Sequence, residues 1–357
     1  MINDKKFEQK SGDDSTNYQA QEITIIKEGM SYSECKEVAL DVYKANYLQL
    51  SNDAAQIAFQ RAEHLIDSLL EKLRQENEKD LNAFKDPGMQ TAIYDAQKAF
   101  IRSGDEDLEA VLVELLKERM TTEQRDLKQI ILDEALKVSE SLTSQQMDIL
   151  SLVFVITKTC QNGLGNLDMF YNYLETSVKP LTSNLTKSQF CYQHMKYTGC
   201  CSLFEASNLK PIEDMYRQVY PAMFQKGFAH EDIKLKTDNL TKVSGLLLRC
   251  FHYPNLYQFN AYDTDELEQK CQALGVTEDE IPTVISLFNS SLMSQNEIKE
   301  HLEEKFDFMR NLIDVWSNSS LNTVSLSSVG IAIGQINYKL KTGRDLDVNI
   351  WLQPKEE

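Results

Sequence analysis

Leu142-Thr-Ser-Gln-Gln-Met-Asp-Ile-Leu-Ser-Leu-Val-Phe-Val-Ile-Thr-Lys-Thr-Cys160 is the segment from which the architecture follows. Thr143 or Ser144 supplies a helix N-cap. Ile149, Leu150, Leu152, Val153, Phe154, Val155 and Ile156 then leave almost no polar face. A helix that is apolar on every side must be enclosed by other helices or by lipid. The apolar run covers ~12 Å of helix, well short of the ~20 residues that a bilayer requires. It is expected to be the central core helix of a helical protein with no transmembrane segment, closed by Asn162-Gly163.

The flanking sequence supplies amphipathic helices that need such a partner. Ser31-Tyr-Ser-Glu34 and Ser294-Gln-Asn-Glu297 are capping boxes. Asp86-Pro87 places a cap before a first-turn proline, and Gly104 fits a C-terminal cap. Apolar residues recurring at three and four, such as Leu108, Val111, Leu112 and Leu115, mark helices over about 31–50, 51–84, 88–103, 105–119, 122–139 and 167–177. The second half predicts helices over about 188–198, 211–226, 239–252, 263–274, 280–292 and 294–316. Short strands are expected at 255–260, 322–326 and 346–352, the last two flanking a helix over 327–341 that Gly343 closes.

The expected fold class is all-α or mostly so. It is a multi-helix bundle with a small α+β element near the C-terminus and a short N-terminal strand or disordered tail. Residues 1–28 form the polar tail, 29–178 an N-terminal helical bundle, and 179–357 a C-terminal helical region ending in a strand–helix–strand cap.

Composition narrows the function classes. The chain has 55 acidic against 37 basic residues among 357, a net charge of −18. That balance opposes non-specific nucleic-acid binding, which depends on Lys and Arg neutralising phosphates. The seven cysteines, at 35, 160, 191, 200, 201, 250 and 271, are odd in number and follow no disulfide framework. No apolar leader precedes residue 22, so the reducing cytoplasm is the expected location.

The candidate metal ligands are Cys191, His194, Cys200 and Cys201, with His230 and His252 further on. Cysteine and histidine three apart on a helix face one way, and zinc accepts both. Adjacent cysteines seldom ligate one ion together, and no Cys-x-x-Cys pair completes the set, so buried thiols and no metal are expected. Glu266, Glu268 and Lys270 lie on what reads as an exposed helix, and Arg249 and His252 are three apart. Neither forms a nuclease signature, and no nucleophile elbow, zincin, Walker or dinucleotide fingerprint is present. Catalytic residues stay unassigned, and no cofactor is expected. The aromatics Phe170, Tyr171, Tyr173, Tyr192, Tyr197, Tyr216, Tyr220 and Phe224 fit a packed core or interface. Gly330 and Gly334 have the small-xxx-small spacing that permits close helix approach.

Three segments carry a resemblance. They are Gly29-Met-Ser-Tyr-Ser-Glu-Cys-Lys-Glu-Val-Ala-Leu-Asp-Val-Tyr-Lys-Ala-Asn46, Asp86-Pro-Gly-Met-Gln-Thr-Ala-Ile-Tyr-Asp-Ala-Gln-Lys-Ala-Phe-Ile-Arg-Ser-Gly-Asp105, and Val329-Gly-Ile-Ala-Ile-Gly-Gln-Ile-Asn-Tyr-Lys-Leu-Lys-Thr-Gly-Arg-Asp-Leu-Asp-Val-Asn-Ile-Trp351. Together they resemble a family of bacterial, mostly helical cytoplasmic proteins, from which no activity or site residue transfers. Gly12-Asp-Asp-Ser-Thr-Asn-Tyr-Gln-Ala20 resembles a short GDNS-type element of bacterial defence-associated proteins, with Asp14 where that element has Asn. The tail implies self-assembly by strand pairing and a phage-defence setting. The functional expectation is a non-enzymatic interaction or assembly protein, partnering itself or another protein. The alternative is a toxin-like hydrolase or nuclease whose site is assembled from distant helices.

Overall fold

The computed structural model of the protein describes residues 30–46, 52–75, 81–121, 126–204 and 210–352. The tail strand and the expected helix ends at 47–51, 76–80 and 122–125 lie outside them. Two helices, α1 (Tyr32–Asn46) and α2 (Asn52–Gln75), open the fold, α1 with a capping box at its start. The Ser31 hydroxyl accepts from the Glu34 amide, and Glu34 accepts from the Ser31 amide at 2.8 Å. A 3-10 turn over Leu81–Lys85 leads to α3 (Pro87–Ser103), where Asp86 caps the N-terminus and Gly104 ends the helix at φ 63°. Helices α4 (Glu106–Met120) and α5 (Leu127–Ser139) follow, capped by Asp105 and Asp126.

The apolar segment is α6 (Ser144–Lys158), with Thr143 and Gln146 forming its capping box. Every residue from Gln146 to Ile156 is buried, as an all-round apolar helix requires. Helix α7 (Leu167–Tyr173) continues into a wide π-turn over Leu174–Val178. Then come α8 (Gln189–Tyr197), β1 (Cys201–Leu203), α9 (Ile212–Val219) and α10 (Thr237–Ser244). Strands β2 (Leu247–Arg249) and β3 (Tyr257–Phe259) pair antiparallel, Leu247 opposite Phe259. Helices α11 (Thr264–Ala273), α12 (Ile281–Ser290), α13 (Gln295–Lys305) and α14 (Asp307–Ser317) lead to β4 (Val324–Leu326). Strand β4 pairs with β1, Cys201 opposite Leu326. The chain ends in α15 (Ser328–Thr342) and α16 (Asn349–Leu352).

The all-α expectation holds, and five local expectations are corrected. Helix α6 ends at Lys158, before the expected Asn162-Gly163, because Thr159 is extended and its hydroxyl donates to the Val155 carbonyl. The final segment 346–352 is a helical turn instead of a strand. Asp347 accepts from the Asn349 amide and turns the chain, and Trp351 then packs edge-on to Phe154 at 4.9 Å and donates to the Lys158 carbonyl. The helix expected over 211–226 breaks at Tyr220, because Pro221 has no N–H and disfavours helical backbone before it. The helix expected over 239–252 stops at Ser244, and Leu247–Arg249 becomes a strand. The helix expected over 294–316 breaks at Phe306, whose backbone is extended while its ring enters the core beside Tyr171.

Residues from Cys35 to Leu352 contribute to one large core cluster. A smaller cluster is formed wholly by residues between Phe228 and Phe288, from α10 to α12 and the β2–β3 ribbon. At the centre of the large cluster α15 lies along α6. A Cβ on Gly334 would stand 2.9 Å from the Leu150 carbonyl oxygen, and one on Gly330 would overlap the Cys200 carbonyl. The small-xxx-small spacing is thus what lets α15 touch backbone.

Candidate functional site

The sequence-chosen ligands scatter over α8 and β1. Gln146 donates to the Cys191 carbonyl, and its Nε2 lies 3.0 Å from His194 Nδ1, so α8 is fastened to the start of α6. Cys200 and Cys201 are buried, and Thr198 donates to the Cys200 sulfur. Burial raises the Cys200 thiol and pushes Cys201 up to about 12, away from the thiolate that a metal needs. Among the described residues, no group of three or more Cys, His, Asp or Glu is arranged to hold a metal ion.

The aromatics converge instead. Phe170 is fully buried, with Tyr216 and Phe224 edge-on to it at 6.1 and 5.4 Å and Tyr220 at 5.5 Å. One residue on, Tyr171 turns outward, and its hydroxyl lies 2.7 Å from His301 Nε2 on α13. His301 meets His252 edge to face at 4.6 Å, and His252 donates through Nε2 to the Met223 carbonyl. Lys305 lies over the Tyr171 ring. The sequence placed His252 beside Arg249, but Arg249 covers the Tyr257 ring instead. His301 carried no local signal, because its partners come from α7 and the β2–β3 turn, far off in the chain.

Burial is the main force on this pair. It holds His301 down at about 4, with the His252 imidazole and Lys305 adding to it, and it lowers His252 as well. Burial also pushes the Tyr171 hydroxyl up to about 12. Burial therefore favours the neutral form of both imidazoles at neutral pH. Such a group is a poor general acid and a weak base.

The 3-10 turn Pro221–Phe224 that receives His252 also walls a pocket of about 190 Å³, lined by Met223, Phe251, Gln258, Tyr262, Glu266 and Lys270. Its charges already have partners. Lys270 pairs with Glu266 at 2.9 Å and donates to the Asn260 carbonyl, and Glu266 accepts from the Tyr262 amide. Glu268 is exposed and outside this pocket. Glu266 and Lys270 thus fasten the start of α11 to β3.

Two buried polar clusters are structural in form. Asn337 of α15 donates to Asp148 at 3.0 Å and to Ser151 at 2.9 Å, both on α6. Burial raises the Asp148 carboxyl while the Asn337 bond lowers it. Glu114 of α4, 2% exposed, receives Lys72, Lys117 and Lys339 at 2.6, 3.3 and 3.1 Å. Burial works to raise the Glu114 carboxyl, but the three ammonium groups hold it below the ordinary range.

The exposed face of α8 differs from all of these. Phe190 is 83% exposed and Tyr197 88%. Their spacing of seven residues, with Gln193 between, puts them on one stripe. Phe204 just beyond β1 is exposed as well. Tyr197 is therefore outside the core, and of its two expected settings, core or interface, the core is set aside. Among the described residues no helix is long and apolar enough to cross a membrane.

One family model, described as ":-like", matches residues 29–352. The chain belongs to that family. No curated protein and no solved structure matches it.

Proposed function

We propose that the protein is a non-enzymatic interaction or assembly protein of the bacterial cytoplasm. It works by protein–protein contact as a homo-oligomer, with phage defence as its setting. The observation that carries the contact is the outer face of α8, where Phe190 and Tyr197 stand almost fully in solvent. Large aromatic rings often supply much of the energy at the centres of interfaces, and a stripe of them left uncovered by the described residues favours a partner. The defence setting rests on the resemblance of Gly12–Ala20 to the GDNS-type element.

Size-exclusion chromatography with light scattering, on the full chain and on a chain beginning at Ile23, tests the contact. The full chain is expected to run above its monomer mass of 41.0 kDa. Monomers in both cases would contradict assembly. For the setting, phage plating on cells expressing the wild type should fall, and protection should be lost with Phe190→Ser/Tyr197→Ser.

A hydrolase or nuclease assembled from distant helices is the alternative, favoured by the meeting of His252, His301 and Tyr171 from three elements. The low proton affinity of His301 weighs against acid–base work at neutral pH. Turnover of ester, phosphodiester or single-stranded nucleic-acid substrates that disappears in His301→Phe would favour it.

A further inference from the structure

We infer that residues 228–290 form an inserted unit that swings on a paired two-segment hinge, opening a pocket against the body, and that the meeting of His252 with His301 is the latch that holds it shut.

The two cores divide cleanly along the chain. The buried members of the large cluster run up to Phe224 and resume at Met293, while those of the small one all lie between Phe228 and Phe288. The chain therefore crosses from body to unit once in each direction. The two crossings are paired antiparallel. The Lys226 amide donates to the Ser291 carbonyl at 2.7 Å, the Met293 amide to the Phe224 carbonyl at 2.8 Å, and the Ser291 hydroxyl to the Gln225 side chain. Gly227 ends the first crossing at φ 76°, where a Cβ would stand 2.9 Å from Cys250 and Leu256. Two adjacent crossings define one axis, and a few backbone torsions at such a place are enough to turn a rigid unit.

The seam between unit and body is thin. Among the described residues, no helix or strand of the unit packs broadly on a helix of the body. Phe251 rests on the large core, Gln258 donates to the Ala222 carbonyl, and the Ala222 amide donates to the Tyr262 carbonyl. A narrow, hydrogen-bonded seam leaves its two sides free to move relative to each other. The pocket of about 190 Å³ lies within it, with Leu164 and Met223 on the body and Leu248 and Phe259 on the unit. His252 reaches across this seam twice. It donates to the Met223 carbonyl at 2.7 Å and meets His301, which the Tyr171 hydroxyl holds from the body side. Rotation about the paired crossings breaks both contacts and widens the pocket.

Distances between paired spin labels on the full chain test this. One label sits on the exposed Cys160 of the body and the other on Glu278→Cys, an exposed position of the unit, with the half-buried Cys191 replaced by Ser. A control pair within the unit uses Lys234→Cys and Glu278→Cys, with Cys160→Ser as well. The latch is removed from either side, by His252→Gln or by His301→Phe. Should one of these lose its cooperative melt, the other decides. With the latch intact, the body-to-unit pair should give one distance. Each latch variant should add a second population at a different distance while the control pair stays unchanged. A body-to-unit distance that no folded latch variant alters overturns the hinge. A control pair that broadens along with it shows the unit unfolding, and overturns a rigid swing. An intact protein already spread over both distances overturns the latch.

Discussion

Gly334 of α15 faces Leu150 of α6 so closely that an added methyl group would stand 2.9 Å from the Leu150 carbonyl oxygen. Elsewhere in a helix, replacing glycine by alanine stabilises by about 0.5–1 kcal/mol. Here the obstacle is backbone, which does not swing aside. Gly334→Ala should therefore destabilise by about 1–3 kcal/mol, read as a lower urea midpoint with unchanged slope. Gly330→Ala, directed at the Cys200 carbonyl, should cost at least as much. A rise in midpoint for either would show that α15 does not lie on α6 as described.

Asn337→Leu should destabilise by about 1–3 kcal/mol, because Asp148 and Ser151 lose a donor that α6 does not replace. The loss should depend on pH with a definite sign. Burial raises the folded Asp148 carboxyl above the ordinary aspartate range, so the folded state holds the proton more tightly and stability falls as pH rises through that range. Removing the Asn337 bond raises the carboxyl further. The gap between variant and wild type should narrow on acidification, as urea melts across mildly acidic pH would show. A gap independent of pH would mean that Asp148 is not the group Asn337 serves.

His301 gives the opposite slope. Its folded value of about 4 lies below the 6.5 of a free imidazole, so its contribution is complete above 6.5 and is lost as pH falls through the interval down to about 4. His301→Phe should flatten the fall in thermal midpoint over that interval. An unchanged slope would place the imidazole in solvent.

Glu114→Gln leaves the buried Lys117 and the largely buried Lys339 with reduced counter-charge. Breaking a buried pair on one side typically costs about 3–5 kcal/mol, so the urea midpoint should drop sharply. Lys72→Met should cost much less, since Lys72 is about a third exposed and Glu114 keeps two partners. Equal losses would argue against a shared cluster.

The sequence made the core legible where one physical cause dominates. The Thr143 cap, the encircling apolar run to Ile156 and the paired glycines of α15 each state a local requirement that the fold then meets. The helix breaks at Tyr220 and Phe306 and the turn at Asn349–Leu352 were less legible. In the last two, tertiary packing of Phe306 on Tyr171 and of Trp351 on Phe154 decides between local alternatives. The His252–His301 contact was invisible for a related reason, since residues 49 apart in sequence meet only through the fold. Tyr197 could be read only as core or interface, because helical spacing defines a face without saying whether anything covers it, and its exposure decides against the core.

Sedimentation velocity across a wide concentration range, on the wild type and on Phe190→Ser/Tyr197→Ser, addresses the function most directly. The wild type should sediment faster as concentration rises, and the double variant should stay at the monomer value with an unchanged thermal midpoint. Identical, concentration-independent profiles for the two proteins would contradict the assignment of α8 as the face through which this protein works.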